Sequence, residues 1–275
     1  MTWLYLAAGI LSLFCVLFLI FLFLIKPRSP KHRPAYRDFV GVEYAHRGLH
    51  GKTVPENSLR AFEKAVERGL GIELDIQLSK DGQVVVFHDL TLNRVAGVDG
   101  RVIDYTAEEL SKMSLNGQPD GIPTLKQVLE VVDGKIPLII EMKIPGFDLS
   151  VCPKAFEILD DYAGRYCVES FHPFVLDWMR KNRPNILRGQ LSSDFFKHKE
   201  GGNKLQLFAV KNLLLNVIAK PDFIAYDIRY PETVAFRLCR DFWKAFPIGW
   251  TVRTNDELTR AKKEFDAWIC EDIYE

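Results

Sequence analysis

The chain has no excess of charge of either sign: 36 lysines and arginines balance 36 aspartates and glutamates over 275 residues. A protein that holds nucleic acid by overall charge is thereby excluded. Cysteine is sparse and never spaced as CxxC; Cys15, Cys152, Cys167, Cys239 and Cys270 are scattered and odd in number. That excludes a disulfide frame or a thiolate zinc site, and it fits buried thiols in a reducing compartment. There is no internal repeat, no low-complexity tract, and no basic residue ahead of the first apolar run. The length suits one large barrel or two small domains.

That run, "WLYLAAGILSLFCVLFLIFLFLI" (3–25), holds no charge and no proline. At ~1.5 Å per residue it is long enough to cross a bilayer core. The basic start and small-residue cleavage site of a signal peptide are missing, so residues 1–25 read as an uncleaved anchor in membrane lipid. Lys26, Arg28, Lys31, Arg33 and Arg37 follow it. The positive-inside rule then predicts a single-pass protein of the cell membrane with its large C-terminal part in the cytoplasm. Pro27, Pro30 and Pro34 make residues 26–40 a semi-rigid basic linker, serving as a stop-transfer signal or resting on anionic headgroups.

From residue 41 to 275 short apolar runs alternate with segments of helical period. Strands are expected at 42–46, 71–78, 83–88, 136–142, 166–171, 186–191, 222–228, 246–252 and 267–270. Helices are expected in "NSLRAFEKAVERG" (57–69), "TLKQVLEVVDG" (124–134) and "DELTRAKKE" (256–264), each with capping residues at its start. The repetition points to an α/β fold with a parallel sheet. Residues 79–122 interrupt it with a turn, an extra strand and a short helix at 106–113. Residues 204–221, with Phe195 and Phe196 upstream, are apolar around much of the helix, as a buried outer helix or one lying on the bilayer would be.

Ionisable groups gather at the ends of these strands. "VEYAHRG" ends in His46 and Arg47, and "GIELDIQ" carries Glu73 and Asp75 on one face, because strand side chains alternate. "QVVVFHD" ends in His88 and Asp89, "IPLIIEMK" in Glu141 and Lys143, "YCVESFH" in Ser170 and His172, and "AWICED" in Glu271. In a closed parallel barrel such ends converge on one face. Two neighbouring buried carboxylates need a compensating cation or hydrogen bonds. Glu73, Asp75 and Glu141 form a hard oxygen set that selects Mg²⁺, Ca²⁺ or Mn²⁺ over zinc. Arg47 and Lys143 beside it suit a phosphate, and His46 and His88 can divide general acid and base roles. Together these groups describe cleavage of a phosphodiester.

"AHRG" (45–48), "PENS" (55–58), "GIELDIQLSKDGQVVVFHD" (71–89), "IPTL" (122–125), "EMK" (141–143), "SFH" (170–172) and "WTV" (250–252) resemble, in order and spacing, the glycerophosphodiester phosphodiesterase family in its membrane-anchored bacterial form. The resemblance runs from about Glu43 to Glu271. It implies a TIM (β/α)8 barrel with a small insertion, about 89–121, after the second strand. It further implies hydrolysis of glycerophosphodiesters to glycerol 3-phosphate and an alcohol with one divalent cation. Glu73, Asp75 and Glu141 match the family's metal ligands, His46 and His88 its acid/base pair, and Arg47 and Lys143 its phosphate contacts. Glu56 and Asn57 match the motif that supports the site, although Asn57 could instead cap the following helix. Trp250 is either a wall against the glycerol or core packing. Ser58 stands where threonine is usual, His172 where aspartate or asparagine is usual, and Glu271 where aspartate is usual; no room is left for a full eighth helix. Rival readings are a lysophospholipase D or phospholipase-type phosphodiesterase acting on lysophospholipids, and an inactive membrane-tethered binding protein. The last would require loss of a ligand or histidine, and all are there.

Overall fold

The computed structural model describes residues 1–34, 36–197, 201 and 203–273. The strands are β1 (Glu43–His46), β2 (Gly71–Leu78), β3 (Val84–Val86), β4 (Leu138–Met142), β5 (Tyr166–Ser170), β6 (Arg188–Ser192), β7 (Phe223–Asp227), β8 (Phe246–Val252) and β9 (Ala267–Cys270). Every strand except β3 pairs with its neighbours in parallel, and β9 returns to β1, which closes an eight-stranded TIM barrel. The helices are α1 (Thr2–Ile25), α2 (Leu59–Glu67), α3 (Asn93–Ala96), α4 (Ala107–Ser111), α5 (Leu125–Val132), α6 (Val151–Leu159), α7 (Pro173–Asn182), α8 (Lys204–Lys211), α9 (Asn216–Ala219), α10 (Val234–Arg237) and α11 (Asn255–Glu264). Ser58, Thr106, Thr124 and Thr254 cap α2, α4, α5 and α11 through their hydroxyls, satisfying backbone N–H groups the helices leave open.

Strand periodicity sorts β2 cleanly. Ile72, Leu74 and Ile76 face the outer helices in the largest apolar cluster, while Gly71, Glu73, Asp75 and Gln77 point inward. Gly71 has to be glycine because a Cβ there would lie 2.5 Å from the Tyr44 ring. Tyr44, Ile139, Phe223, Phe246, Ile248 and Ile269 fill the lower interior.

The excursion at 79–122 carries the extra strand expected there, β3. It leaves directly after β2, because β3 turns back antiparallel on it, Ile76 facing Val86. Val84 and Val86 join the main core, whereas Val85 joins a separate cluster with Phe87, Leu92, Val95, Leu110 and Ile122. The expected helix at 204–221 is two short ones, broken where Leu213 takes a left-handed conformation.

The described residues of 26–40, read from sequence as a linker, lie against the floor of the barrel. The Arg28 guanidinium donates to Pro184 O and sits 3.5 Å from the Asp222 carboxylate; Arg33 donates to Lys244 O, and Phe39 is buried. The apolar helix α1 docks by its last turns, with Ile25 fully buried and Phe21 and Leu22 packed near Leu213 and Phe236. Residues 1–20 are exposed. Asp222 and Pro184 precede β7 and β6, so α1 meets the barrel at the end opposite the carboxyl ends of the strands.

Candidate active site

Glu73 and Asp75 within β2 and Glu141 near the end of β4 converge inside the barrel mouth. One oxygen from each lies within 4.8 Å of the others, and all three side chains are buried. Register places Asp75 beside Glu141 and Glu141 beside Glu169 on β5, so a fourth buried carboxylate joins them. Glu169 was visible in "YCVES" but was passed over there, since the strand pairing that brings it to Glu141 is not local.

Two cations reach into this cluster. Lys143 Nζ bridges Asp75 (3.1 Å) and Glu141 (2.8 Å). Arg47 donates from its backbone N–H to Glu73 (3.1 Å) and from its side chain to Glu56 (2.7 Å). Arg47 and Gly48 both have positive φ, and this tight bend after β1 turns the Arg47 N–H inward. The two phosphate contacts implied by the family are thus tied to acids at the site itself. Asn57 donates to Asp75 (2.9 Å), and Ser58 rather than Asn57 caps α2.

The charge balance explains the shifts. Burial first, then Asp75, Glu169 and Glu141, raises the Glu73 pKa well above the carboxylate range. Burial also lifts Glu141 to about 7, against Lys143 and with help from Asp75, and it lifts Glu169. Burial works against the Asp75 carboxylate as well, but Lys143, His88, Arg47 and Asn57 overcome it and hold its pKa low. Lys143 and Arg47 do not offset four enclosed acids. Glu169 Oε2 is buried without a hydrogen bond, and Asp75 Oδ1 has only the Lys143 ammonium opposite it. An all-oxygen set with surplus negative charge fits a hard divalent cation, which Glu73, Asp75 and Glu141 could hold.

Both histidines are wired alike. His46 Nδ1 lies 3.0 Å from Glu271 Oε2, which also accepts from Arg253 (2.8 Å); His88 Nδ1 lies 2.6 Å from Asp89 Oδ1. A carboxylate on Nδ1 assigns the proton there and leaves Nε2 as the reactive nitrogen. His46 Nε2 is 3.9 Å from Glu73. Gln77 donates to both Phe87 O and Asp89 O, 2.8 Å each, and so clamps the loop that carries His88. Burial lowers the pKa of both imidazoles, that of His88 to about 4 with Lys143 and Arg47 adding to the effect. Arg94 ties the insertion to the site, donating to Glu56 and Asp89. Asp89 and Arg94 went unassigned in the sequence; only the proximity of Asp89 to His88 signalled a role.

The departures from the family pattern have local reasons. His172 Nδ1 accepts from Phe174 N at the start of α7, the capping task of an aspartate. Glu271 reaches His46 from the last strand, so that strand contributes to the site; residues 274 and 275 of the terminal motif lie outside the described residues. Trp250 is partly buried, with its ring edge-on to Phe171 at 5.7 Å.

Glu56 and Glu271 are each held to about 2, where burial opposes the shift and Arg94 with Arg47, or His46 with Arg253, outweighs it. These carboxyls are depressed relative to about 4.5 in the unfolded chain. Their stabilisation is therefore complete above that value and is lost as pH falls towards 2. Thermal unfolding of the full chain in detergent should show a falling Tm across that window, with a flatter fall in Glu56→Gln and Glu271→Gln.

The fold and site thus define a TIM barrel with a buried acidic centre, two cations and two carboxylate-paired imidazoles at its carboxyl face. The sequence model of the glycerophosphoryl diester phosphodiesterase family matches residues 46–270, and the chain belongs to that family. It is 38% identical over 160 residues to a glycerophosphodiester phosphodiesterase of Caldanaerobacter subterraneus subsp. tengcongensis, covering 54% of this chain and 65% of that one. A similar match to a Bacillus altitudinis glycerophosphodiester phosphodiesterase covers 66% of that protein, so the chain spans just under two thirds of these relatives. Human glycerophosphodiester phosphodiesterase 1 is 28% identical over 245 residues, 78% of this chain and 72% of that one. A Thermotoga maritima glycerophosphodiester phosphodiesterase structure aligns with TM-score 0.65 and 28% identity, covering 83% of this chain and 93% of that one. An Oleispira antarctica phosphodiesterase, solved with its product sn-glycerol-3-phosphate, aligns with TM-score 0.68 and 24% identity over 84% and 93%.

Proposed function

We propose that the chain hydrolyses glycerophosphodiesters to glycerol 3-phosphate and an alcohol at the mouth of the barrel. The convergence of Glu73, Asp75 and Glu141 with His46, His88, Arg47 and Lys143 carries this reading. A divalent cation held by the three acids would polarise the phosphoryl oxygen. Arg47 and Lys143 stand next to that position and would turn from their carboxylates towards a phosphate. One imidazole Nε2 takes the proton of the attacking oxygen and the other protonates the leaving alkoxide; where water attacks, this gives glycerol 3-phosphate directly, and where the glycerol hydroxyl attacks, the cyclic phosphate formed is opened by water in a second step with the two rings exchanging roles. Glu271 and Asp89 keep each ring in the required tautomer and stabilise its charged form. Trp250 with Phe171 offers an apolar wall for the glycerol carbons.

Helix α1, apolar over a membrane-spanning length, is the anchor in this reading, with the basic residues after it placing the barrel in the cytoplasm. The site faces away from the end where α1 docks, which favours soluble diesters over lysophospholipids embedded in the bilayer. Product analysis on a panel of glycerophosphodiesters tests the chemistry. Free glycerol 3-phosphate as the end product supports it; lysophosphatidic acid, or a cyclic phosphate that accumulates as the final product, supports a different phosphodiesterase. Deleting residues 2–19, which keeps the docked turns, should release the protein from membranes. Activity on a soluble diester should stay within about twofold, as for changes away from packed elements. Loss of that activity together with the helix would count against the soluble-substrate reading.

A further inference from the structure

Where α1 meets the barrel floor, a cleft of about 390 Å³ opens beside the last apolar turn. Five of its lining residues are basic, Lys26, Arg28, Arg180, Arg188 and Lys220, none is acidic, and the Phe23 ring forms one wall. Two carboxylates stand behind them. Asp222 is fully buried between Arg28 (3.5 Å) and Arg188 (3.6 Å), and Asp177 is engaged by Arg180 and Lys181, both at 2.6 Å. Arg188 is 1% exposed, and its Nη1 makes no hydrogen bond, with only the Asp222 carboxylate 3.6 Å away opposite it. One carboxylate shared by two guanidiniums leaves the cluster short of negative charge, which a bound anion would supply. The cations also oppose one another: burial lowers the pKa of Lys220, and Lys26 and Arg180 lower it further. Burial likewise brings Arg188 down to about 10, with Arg28 and Arg180 adding to the effect against Asp222.

We infer that this cleft binds the phosphate of an anionic phospholipid from the leaflet in which α1 ends. The inference rests on the anchor reading above. Two independent features point to a lipid rather than a free anion. The cleft sits at the level where a helix of membrane-spanning apolarity emerges, and Phe23, 60% exposed, continues its wall towards where acyl chains would lie. Arg28 would hold the phosphate oxygens with Lys26 and Lys220 at the rim, and the buried Arg188 behind them, turned to Asp222, would add its positive charge without contact. Lys220 already donates to Lys26 O and lies over the Phe23 ring, so barrel and anchor are joined at this point. Such a lipid would fix the barrel's tilt on the membrane, with the catalytic mouth turned to the cytoplasm.

The experiment uses the full chain in mild detergent, offered equimolar phosphatidylglycerol and phosphatidylcholine with identical acyl chains, and read by native mass spectrometry. A single phosphatidylglycerol adduct should be favoured by about tenfold or more. Lys26→Gln/Lys220→Gln should abolish the preference, while Lys31→Gln/Arg37→Gln, basic residues of the same segment outside the cleft, should keep it. Equal retention of both lipids, or equal loss in both double variants, would overturn the inference. So would displacement of the lipid by inorganic phosphate, since the cleft would then be a free-anion site. Should the first pair unfold the protein, Lys26→Gln alone, at a partly exposed position, reads the same loss. Flotation with pure phosphatidylcholine vesicles tests the anchor separately: a chain that fails to float there refutes the anchor, whatever its lipid preference.

Discussion

Replacing His46 or His88 with alanine should lower kcat/KM on a soluble glycerophosphodiester by about 10²- to 10⁴-fold, the usual contribution of a positioned proton-transfer group. Each ring has its Nδ1 on a carboxylate, and neither side chain is part of the apolar core. The loss should therefore appear chiefly in activity, with a smaller fall in Tm as Glu271 or Asp89 loses its imidazole partner. The double variant should be little worse than either single one, because a donor without its acceptor completes no turnover. Glu271→Ala should cost less than His46→Ala and act through the same ring. It leaves the imidazole in place but removes the oxygen at 3.0 Å that sets its tautomer. Retention of near-normal kcat/KM in either histidine variant would remove the acid/base assignment.

The second large effect is expected on chelation. Full-length protein stripped of divalent ions should lose hydrolysis and regain it with Mg²⁺, Ca²⁺ or Mn²⁺; Glu73→Gln and Glu141→Gln should be refractory to rescue. A readout independent of turnover comes from protons. Burial first, and repulsion between the neighbouring acids after it, raise Glu141 to about 7 and Glu73 above the carboxylate range. A bound cation favours the ionised forms, so binding below pH 7 should release on the order of one proton per site, and release should fade as pH rises through that value. Calorimetry in two buffers of different ionisation heat measures it directly. The metal-free protein carries the opposite stability slope from Glu56. A raised folded pKa means that the contribution of Glu141 is complete below about 4.5 and is lost as pH rises through about 7. Added cation should restore that stability. Hydrolysis that ignores chelator, or cation binding without proton release, would leave the acid cluster without its assigned role.

What could be read along the chain was whatever follows from local periodicity. The alternation in "GIELDIQ" put Glu73 and Asp75 on one face, the nine strand positions followed from short apolar runs between turn residues, and 24 residues of α1 followed from an uncharged stretch. The serial spacing of His46, Glu73, His88 and Glu141 pointed to a single site because parallel strands must present their carboxyl ends together. Tertiary structure decided the partners. Glu271 lies 225 residues from His46 in sequence and meets it only because β9 closes against β1. Glu169 enters the acid cluster through strand register, and Arg94 through the folding of the insertion over Glu56. The proline-rich basic segment looked like a spacer since its charges have no local partners. Its acceptors, Pro184 O, Asp222 and Lys244 O, are supplied by loops under the barrel more than 150 residues further along the chain. Composition and spacing record which groups a chain owns, but the balance of charge around each group is a property of distances in space, and those are set when the barrel closes.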